Sequence, residues 1–259
     1  IGIIDNDVVD RSNLQRQILF SIDDIGKPKA TAAAQRLSKL NPFIHFITYI
    51  DFLSSENALE IFPEYDIIVD GSDNFQTRYL TNDASVITNK PLVFGAIFKF
   101  EGQVSVFNYK DGPTYRCLFP TPPNANSIPN CSEIGVLGVL PGIIGCLQAN
   151  ETIKIICELG DVLSGKLLSL NALNLQQNIL KFPKNKNIVI NHLIDYDLFC
   201  GIEKENSLEI STSDFNKYLN IDSISLIDVR KDMEREHFNI GGEHIPLHLL
   251  QQKLDIFKE

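Results

Sequence analysis

The sequence predicts an α/β fold, a Rossmann-like and mostly parallel sheet with an antiparallel extension, on three observations. Short β-branched runs alternate with helix-forming segments through the N-terminal part of the 259 residues. Acidic and small polar residues gather where those runs end, at Asp5-Asn6-Asp7 and Gly71-Ser72-Asp73-Asn74. Further on, alternation joined by short turns replaces the strand–helix rhythm, as antiparallel strands require.

The first run, Ile1-Gly2-Ile3-Ile4, stops at Asp5. An acid at a strand's carboxyl end is the usual partner of a nucleotide ribose, and a glycine-rich turn normally precedes it by about 20 residues. The sequence opens inside that strand, so it reads as a piece of a longer protein lacking its first βα unit. Arg16 and Lys29 add positive charge on the same sheet edge, where phosphates would sit. Pro28 suits a first helical turn, and KATAAAQRLSKL (29–40) consists of strong helix formers up to Asn41-Pro42. Residues 43–50 are apolar and β-branched, hence a strand. Ser54 or Ser55 is expected to cap a short helix through Phe62. Residues 66–70 are expected to be a buried parallel strand, and the helix after Asp73 carries Arg78.

Residues 92–98 read as another buried strand, Glu101-Gly102 as its turn, and 103–109 as an antiparallel return. Residues 111–132 form a long proline-rich loop that ends near Cys131. A helix is expected from Val136 to Leu159, kinked at Pro141, with Cys146 and Cys157 in its core. Residues 167–182 read as two strands around a turn near Asn171–Asn174. A charged linker follows at 201–210, closing a first domain of 1–200. In the remainder, 211–259, a helix is expected over 211–219, a strand over 224–229 and a helix over 231–238.

Lys and Arg number 23 against 33 Asp and Glu, a net charge of −10. That balance disfavours nucleic acid and anionic membrane as partners. The most apolar run, 134–147, contains Pro141 and four glycines and is too short to span a bilayer. Five scattered cysteines, an odd number, fit a reducing cytoplasm rather than a disulfide framework. The five histidines show no metal-ligand spacing.

DNDVVDRSNLQRQ (5–17), GKPK (26–29), the spacing Asp70, Asp73, Asn74, Arg78, and NCSEIGVLGVLPGIIG (130–145) together resemble the MoeB/ThiF family, the bacterial relatives of ubiquitin-activating enzymes. The resemblance covers residues 1–200. It implies adenylation of the C-terminal glycine of a ubiquitin-like sulfur carrier ending in Gly-Gly, with ATP and Mg2+. A later step would give the thiocarboxylate, and a homodimer is expected. By resemblance, Asp5 would bind the ribose. Ser12, Asn13, Leu14, Gln15 and Arg16 would line the phosphates, with Lys29 reaching them from the helix start. Asp73 would hold Mg2+, with Asn74 and Arg78 beside it. Cys131 matches a cysteine proposed to bond covalently with the carrier. The tail resembles the first half of a rhodanese domain, with Asp228 and Arg230 at its strand end.

Plainer roles exist for several of these residues. Asp73-Asn74 can simply cap a helix, Arg78 can pair along it, and Cys131 can be a spare loop thiol. Family members often bind zinc through two C-x-x-C pairs. Here the pairs are Thr114-x-x-Cys117 and Asp197-x-x-Cys200, so four-sulfur closure is impossible and Cys117 and Cys200 read as remnants. The molybdopterin-synthase carrier is the first expectation for the substrate and the thiamine-pathway carrier the second. Two other classes stand beside them: a nucleotide-free module that docks ubiquitin-like proteins, and a nicotinamide dehydrogenase. Arg16, Lys29 and Asp73 argue against the latter, because hydride transfer needs no triphosphate clamp.

Overall fold

The computed structural model describes residues 1–123, 135–202, 215, 226–239 and 241–253. The chain divides into two compact units, Ile1–Lys204 and Glu205–Glu259. In the first, β1 (Gly2–Ile4) pairs in parallel with β2 (Ile47–Tyr49) across the helix α1 (Lys29–Leu40). A five-stranded sheet then runs in the order β3 (Ile68–Asp70), β4 (Leu92–Phe98), β5 (Glu101–Phe107), β6 (Lys166–Asn171), β7 (Gln176–Lys181). The β3–β4 step is parallel and crosses over through α3 (Phe75–Ile87), while the remaining steps are antiparallel. The strand ends of interest follow β1, in its own two-stranded parallel sheet, and β3, at the edge of the five-stranded one, whose antiparallel part is the expected extension.

Several boundaries differ from those expected, two of them because an asparagine side chain closes a turn. Asn41 Oδ1 accepts from Phe43 N at 3.1 Å, which keeps 43 and 44 out of β2. Asn57 Oδ1 accepts from Ser54 N at 2.9 Å, so α2 (Ala58–Ile61) begins after that turn rather than at Ser54 or Ser55. The β4–β5 turn is Lys99-Phe100, with Lys99 at φ 52° and Phe98 opposite Glu101. Gly102 is already in β5, where the Ile144 side chain leaves no room for a Cβ. Val69 in β3 is 52 % exposed, so this strand is not buried on both faces.

Helix α5 (Leu140–Cys157) starts later than expected, with Pro141 in its first turn, where a missing N–H costs nothing. It is therefore not kinked at that proline. Leu140, Ile144, Gln148 and Glu151 form its buried face against β4 and β5. Cys146 and Cys157 fall on the other face and are exposed, contrary to the core placement expected for them. An apolar helix does not reveal by periodicity which side it turns inward.

The core of this unit is aromatic. Tyr79, Phe94, Phe107 and Tyr115 pack at centroid distances of 5.1 to 5.7 Å. Behind them lies a buried carboxylate. Asp83 on α3 receives Arg116 Nε at 2.8 Å, Arg116 Nη2 at 2.7 Å and the Tyr196 hydroxyl at 2.9 Å. Arg116 belongs to α4 (Tyr115–Leu118) and Tyr196 to α6 (Tyr196–Phe199), so one acid fastens the long loop and the 195–200 segment to α3.

In the second unit, β8 (Ile227–Asp228) and β9 (Glu243–His244) pair in parallel around α7 (Asp232–His237), and α8 (Leu247–Lys253) follows. Asp228 and Arg230 form a bidentate pair at 3.0 and 2.7 Å, which holds the Asp228 carboxyl well below the usual range. The helix expected over 211–219 and residues 203–210 of the linker lie outside the described residues, apart from Phe215.

Because Asp83 is buried with its partners, removing one leaves an uncompensated charge. Arg116→Ala should cost about 3–5 kcal/mol of folding stability, and Tyr196→Phe about 1 kcal/mol. Urea unfolding of both variants measures this.

Candidate nucleotide site at the strand carboxyl ends

Asp5 follows β1 directly. Burial pushes its carboxyl pKa up, opposed by the Asp7 backbone hydrogen bond and the Lys29 ammonium, while the charges of Asp7 and Asp73 add to the rise. Lys29 and Asp73 each act electrostatically on Asp5, although 68 residues separate Asp5 from Asp73 in sequence.

A short backbone ladder produces this meeting. Val9 N donates to Lys27 O at 2.8 Å, Gly26 N to Val9 O at 2.8 Å and Lys29 N to Asp7 O at 2.8 Å. Gly26 sits at φ 84°, a left-handed conformation that glycine adopts without strain. The first residue of α1 is therefore laid beside the acids after β1. Tyr65 links this region to β3: its hydroxyl lies 3.0 Å from that of Tyr49, and its ring fills the space a Cβ on Gly2 would take.

The segment Arg11–Asn13 is a 3-10 turn capped by Asp10. Ser12 N donates to Asp10 Oδ1 at 2.7 Å, and Asp10 N donates to Asn13 Oδ1 at 3.1 Å. The buried Asn13 is thus engaged in holding the turn. Leu14 closes it, and Arg16 turns its guanidinium onto the Ser12 carbonyl at 3.1 Å. Gln15 packs on Gly138, where a Cβ would come within 2.4 Å of the Gln15 carbonyl oxygen. This contact brings the Arg16 turn against the chain entering α5. Cys131 lies outside the described residues.

The loop after β3 is pinned from three sides. Ser72 N donates to Asp70 Oδ1 at 2.8 Å, and Arg78 Nη2 donates to the Ser72 carbonyl at 3.1 Å. From α5, Gln148 Nε2 donates to Asp70 O at 2.7 Å and Val93 O at 3.3 Å. Gly95 makes room for Gln148, whose Cδ would be 2.4 Å from a Cβ there. Neither Gln148 nor Gly95 is marked by residue pattern, because their contact spans elements far apart in the chain. Asn74 caps α3, accepting from Thr77 N at 2.8 Å, and Arg78 stacks over Phe75 and Phe94. Both residues therefore hold the loop that presents Asp73, which is itself exposed.

The donor chemistry fits Mg2+ with a nucleotide. That ion needs only one or two carboxylates beside phosphate oxygens and its own waters, and Asp73 is free to approach. It does not fit structural zinc, which requires thiolates. Cys117 Sγ lies 3.5 Å from the Thr114 hydroxyl and accepts from Asn185 N at 3.3 Å. Burial pushes the Cys200 thiol pKa up.

The model of the ThiF family matches residues 1–190. The chain is 46 % identical over 214 residues to a sulfur carrier protein adenylyltransferase of Thermus thermophilus, covering 78 % of this chain and 79 % of that protein. It is 42 % identical to adenylyltransferase and sulfurtransferase MOCS3 of Drosophila grimshawi, with 91 % of this chain and 57 % of the relative covered. The figures for the probable adenylyltransferase/sulfurtransferase MoeZ of Mycobacterium tuberculosis are 38 %, 95 % and 66 %. The chain thus spans little more than half of the Drosophila relative. Among solved structures, E. coli MccB with MccA-N7isoASN superposes with a TM-score of 0.65 at 20 % identity, over 74 % of this chain and 60 % of that one. MccB with ATP gives 0.62, over 73 % and 58 % at the same identity. At that identity the likeness shows the Rossmann-like fold.

Asp70 supplies a test of this region. Its Oδ2 and the Ser72 hydroxyl are buried without a hydrogen-bond partner, and burial raises the Asp70 pKa. With the folded pKa above the unfolded one, the cost of ionising Asp70 is absent below the unfolded value and complete above the folded one. Asp70→Asn should therefore gain thermal midpoint relative to the parent as pH rises from about 3 to about 7. Paired melting curves across that range check the sign.

Proposed function

The chain belongs to the ThiF family, and on that premise we propose that it is an ATP-dependent adenylyltransferase acting on a ubiquitin-like sulfur carrier. The supporting observation is that Lys29, at the start of α1, and Asp73, after β3, both act electrostatically on Asp5 at the carboxyl end of β1. That is where open α/β sheets bind nucleotides.

The incoming nucleophile is the carrier's C-terminal carboxylate, already ionised, so no base is required. One of its oxygens bonds to the α-phosphorus while the bond from that phosphorus to the bridging oxygen breaks. The electron pair leaves with pyrophosphate. The protein must position the reactants and stabilise charge on the departing group. Asp5 is assigned to the ribose hydroxyls, and Arg16 and Lys29 to the phosphates. Asp73 would hold Mg2+, which when bound neutralises phosphate charge. Asn74, Arg78 and Gln148 fix the loop that carries Asp73.

The molybdopterin-synthase carrier is the preferred substrate. Its support is the resemblance of the 130–145 segment and of the tail to that branch. Similarity to proteins named for both adenylyltransferase and sulfurtransferase activity agrees with reading residues 211–259 as part of a rhodanese-like domain. A second copy of the chain is the proposed cover for the outer face of α5. There Val139, Cys146, Ile153 and Ile156 are exposed at heptad-like spacing.

Pyrophosphate exchange into ATP, dependent on added carrier, is the direct test. Asp73→Ala should lower the exchange by about a hundredfold or more, and wild-type-like exchange would remove Asp73 from its role. Cys131→Ala should leave exchange intact while slowing any later sulfur transfer. Ile156→Asp should shift sedimentation from dimer to monomer; an unchanged dimer would place the interface elsewhere.

A further inference from the structure

Asp7 stands between the two groups assigned to ATP and uses three of its atoms to do so. Its N–H donates to Asp5 Oδ1 at 2.8 Å, its carbonyl accepts from Lys29 N at 2.8 Å, and its Oδ2 accepts from Lys29 Nζ at 2.7 Å. The Lys29 side chain is 12 % exposed, while that of Asp7 is 61 % exposed. The lysine stem is therefore packed, and its ammonium is directed to a carboxylate that still faces solvent.

Lys29 needs such a partner. It is the first residue of α1, where the helix dipole disfavours a cation, and Pro28 before it supplies no side-chain cap. The other charges facing this ammonium are acidic as well. Asp5 and Asp10 each feel Lys29, and Asp73 acts on Asp5. Of these acids, Asp7 makes the direct contact. An ammonium has three N–H donors, and Asp7 takes one of them.

We propose that Asp7 is a positioning residue for the nucleotide. It holds Lys29 Nζ at the edge of the strand ends, and the remaining N–H groups are offered to phosphate oxygens. The assignment rests on the ATP reading above, in which Lys29 touches the triphosphate. Without Asp7 the flexible four-carbon stem would have to be ordered when the nucleotide binds, and part of the binding energy would be lost to that ordering.

Two measurements on the full chain test this. In the nucleotide-free protein, Lys29 should react faster with an acylating reagent in Asp7→Asn than in the parent, read by peptide mass spectrometry. Calorimetry with a non-hydrolysable ATP analogue and Mg2+ should show about tenfold weaker binding for Asp7→Asn. Lys29→Ala should weaken binding at least as much, and adding Asp7→Asn to it should change little, since both substitutions remove one interaction. Asp7→Glu, which keeps the carboxylate, should recover part of the loss. Additive losses in the double variant, or parental affinity and labelling in Asp7→Asn, would overturn the assignment. Parental protein that fails to bind the analogue would defeat the ATP reading itself. The labelling result would still report whether Asp7 restrains Lys29.

Discussion

The ladder between residues 7–9 and 26–29 is the constraint on which the site depends. Its hydrogen bonds return the chain, after the capped turn, to the acids at the end of β1. Both the ladder and the α1 start are local in space yet separated by some twenty residues, and Gly26 permits the reversal. Were the ladder lost, Lys29 would be an ordinary helix-start lysine and Asp5 an ordinary strand-end acid. Their significance lies in being brought together.

Most residues near the site also carry the fold. Asn13 caps its turn, Asn74 caps α3 and Arg78 grips the Ser72 carbonyl. The plain structural roles are therefore real, and they do not displace the functional ones. A capped helix with a pinned loop before it presents Asp73 in one direction, which an exposed carboxylate on a loose loop would not do. The exposed acid is positioned by the buried Gln148 amide, the Asn74 cap and the Arg78 guanidinium.

Elements with a strong local code were legible in the sequence. The alanine-rich α1, the apolar β4 and the β6–β7 pair lie where residue pattern placed them. Boundaries were less so, because Asn41, Asn57 and Pro141 act through turn geometry that pattern does not display. In the site, Asp5, Lys29 and Asp73 were readable as charged residues at strand and helix ends. Gln148 was not, since a glutamine in an apolar helix looks like surface until its partner carbonyls, 55 and 78 residues away, are seen. Cys146 and Cys157 went the other way. Their apolar surroundings imply burial, but the inward face of α5 is chosen by β4 and β5.

Charge balance gives the proposed chemistry an order. Asp7 pairs with the Lys29 ammonium, Asp5 feels the same charge and Asp73 acts on Asp5, so on the proposed reading a bare triphosphate would meet more repulsion than attraction from these residues. Arg16, the other cation assigned to the phosphates, is folded onto its own turn. On the proposed reading a nucleotide already neutralised by Mg2+ would meet a different field, in which the acids would attract the ion and Lys29 the phosphates. The same acids that would discourage free ATP thus favour its metal complex. On the proposed reading the sign of the site's own charge would favour the metal-bound nucleotide over the free one.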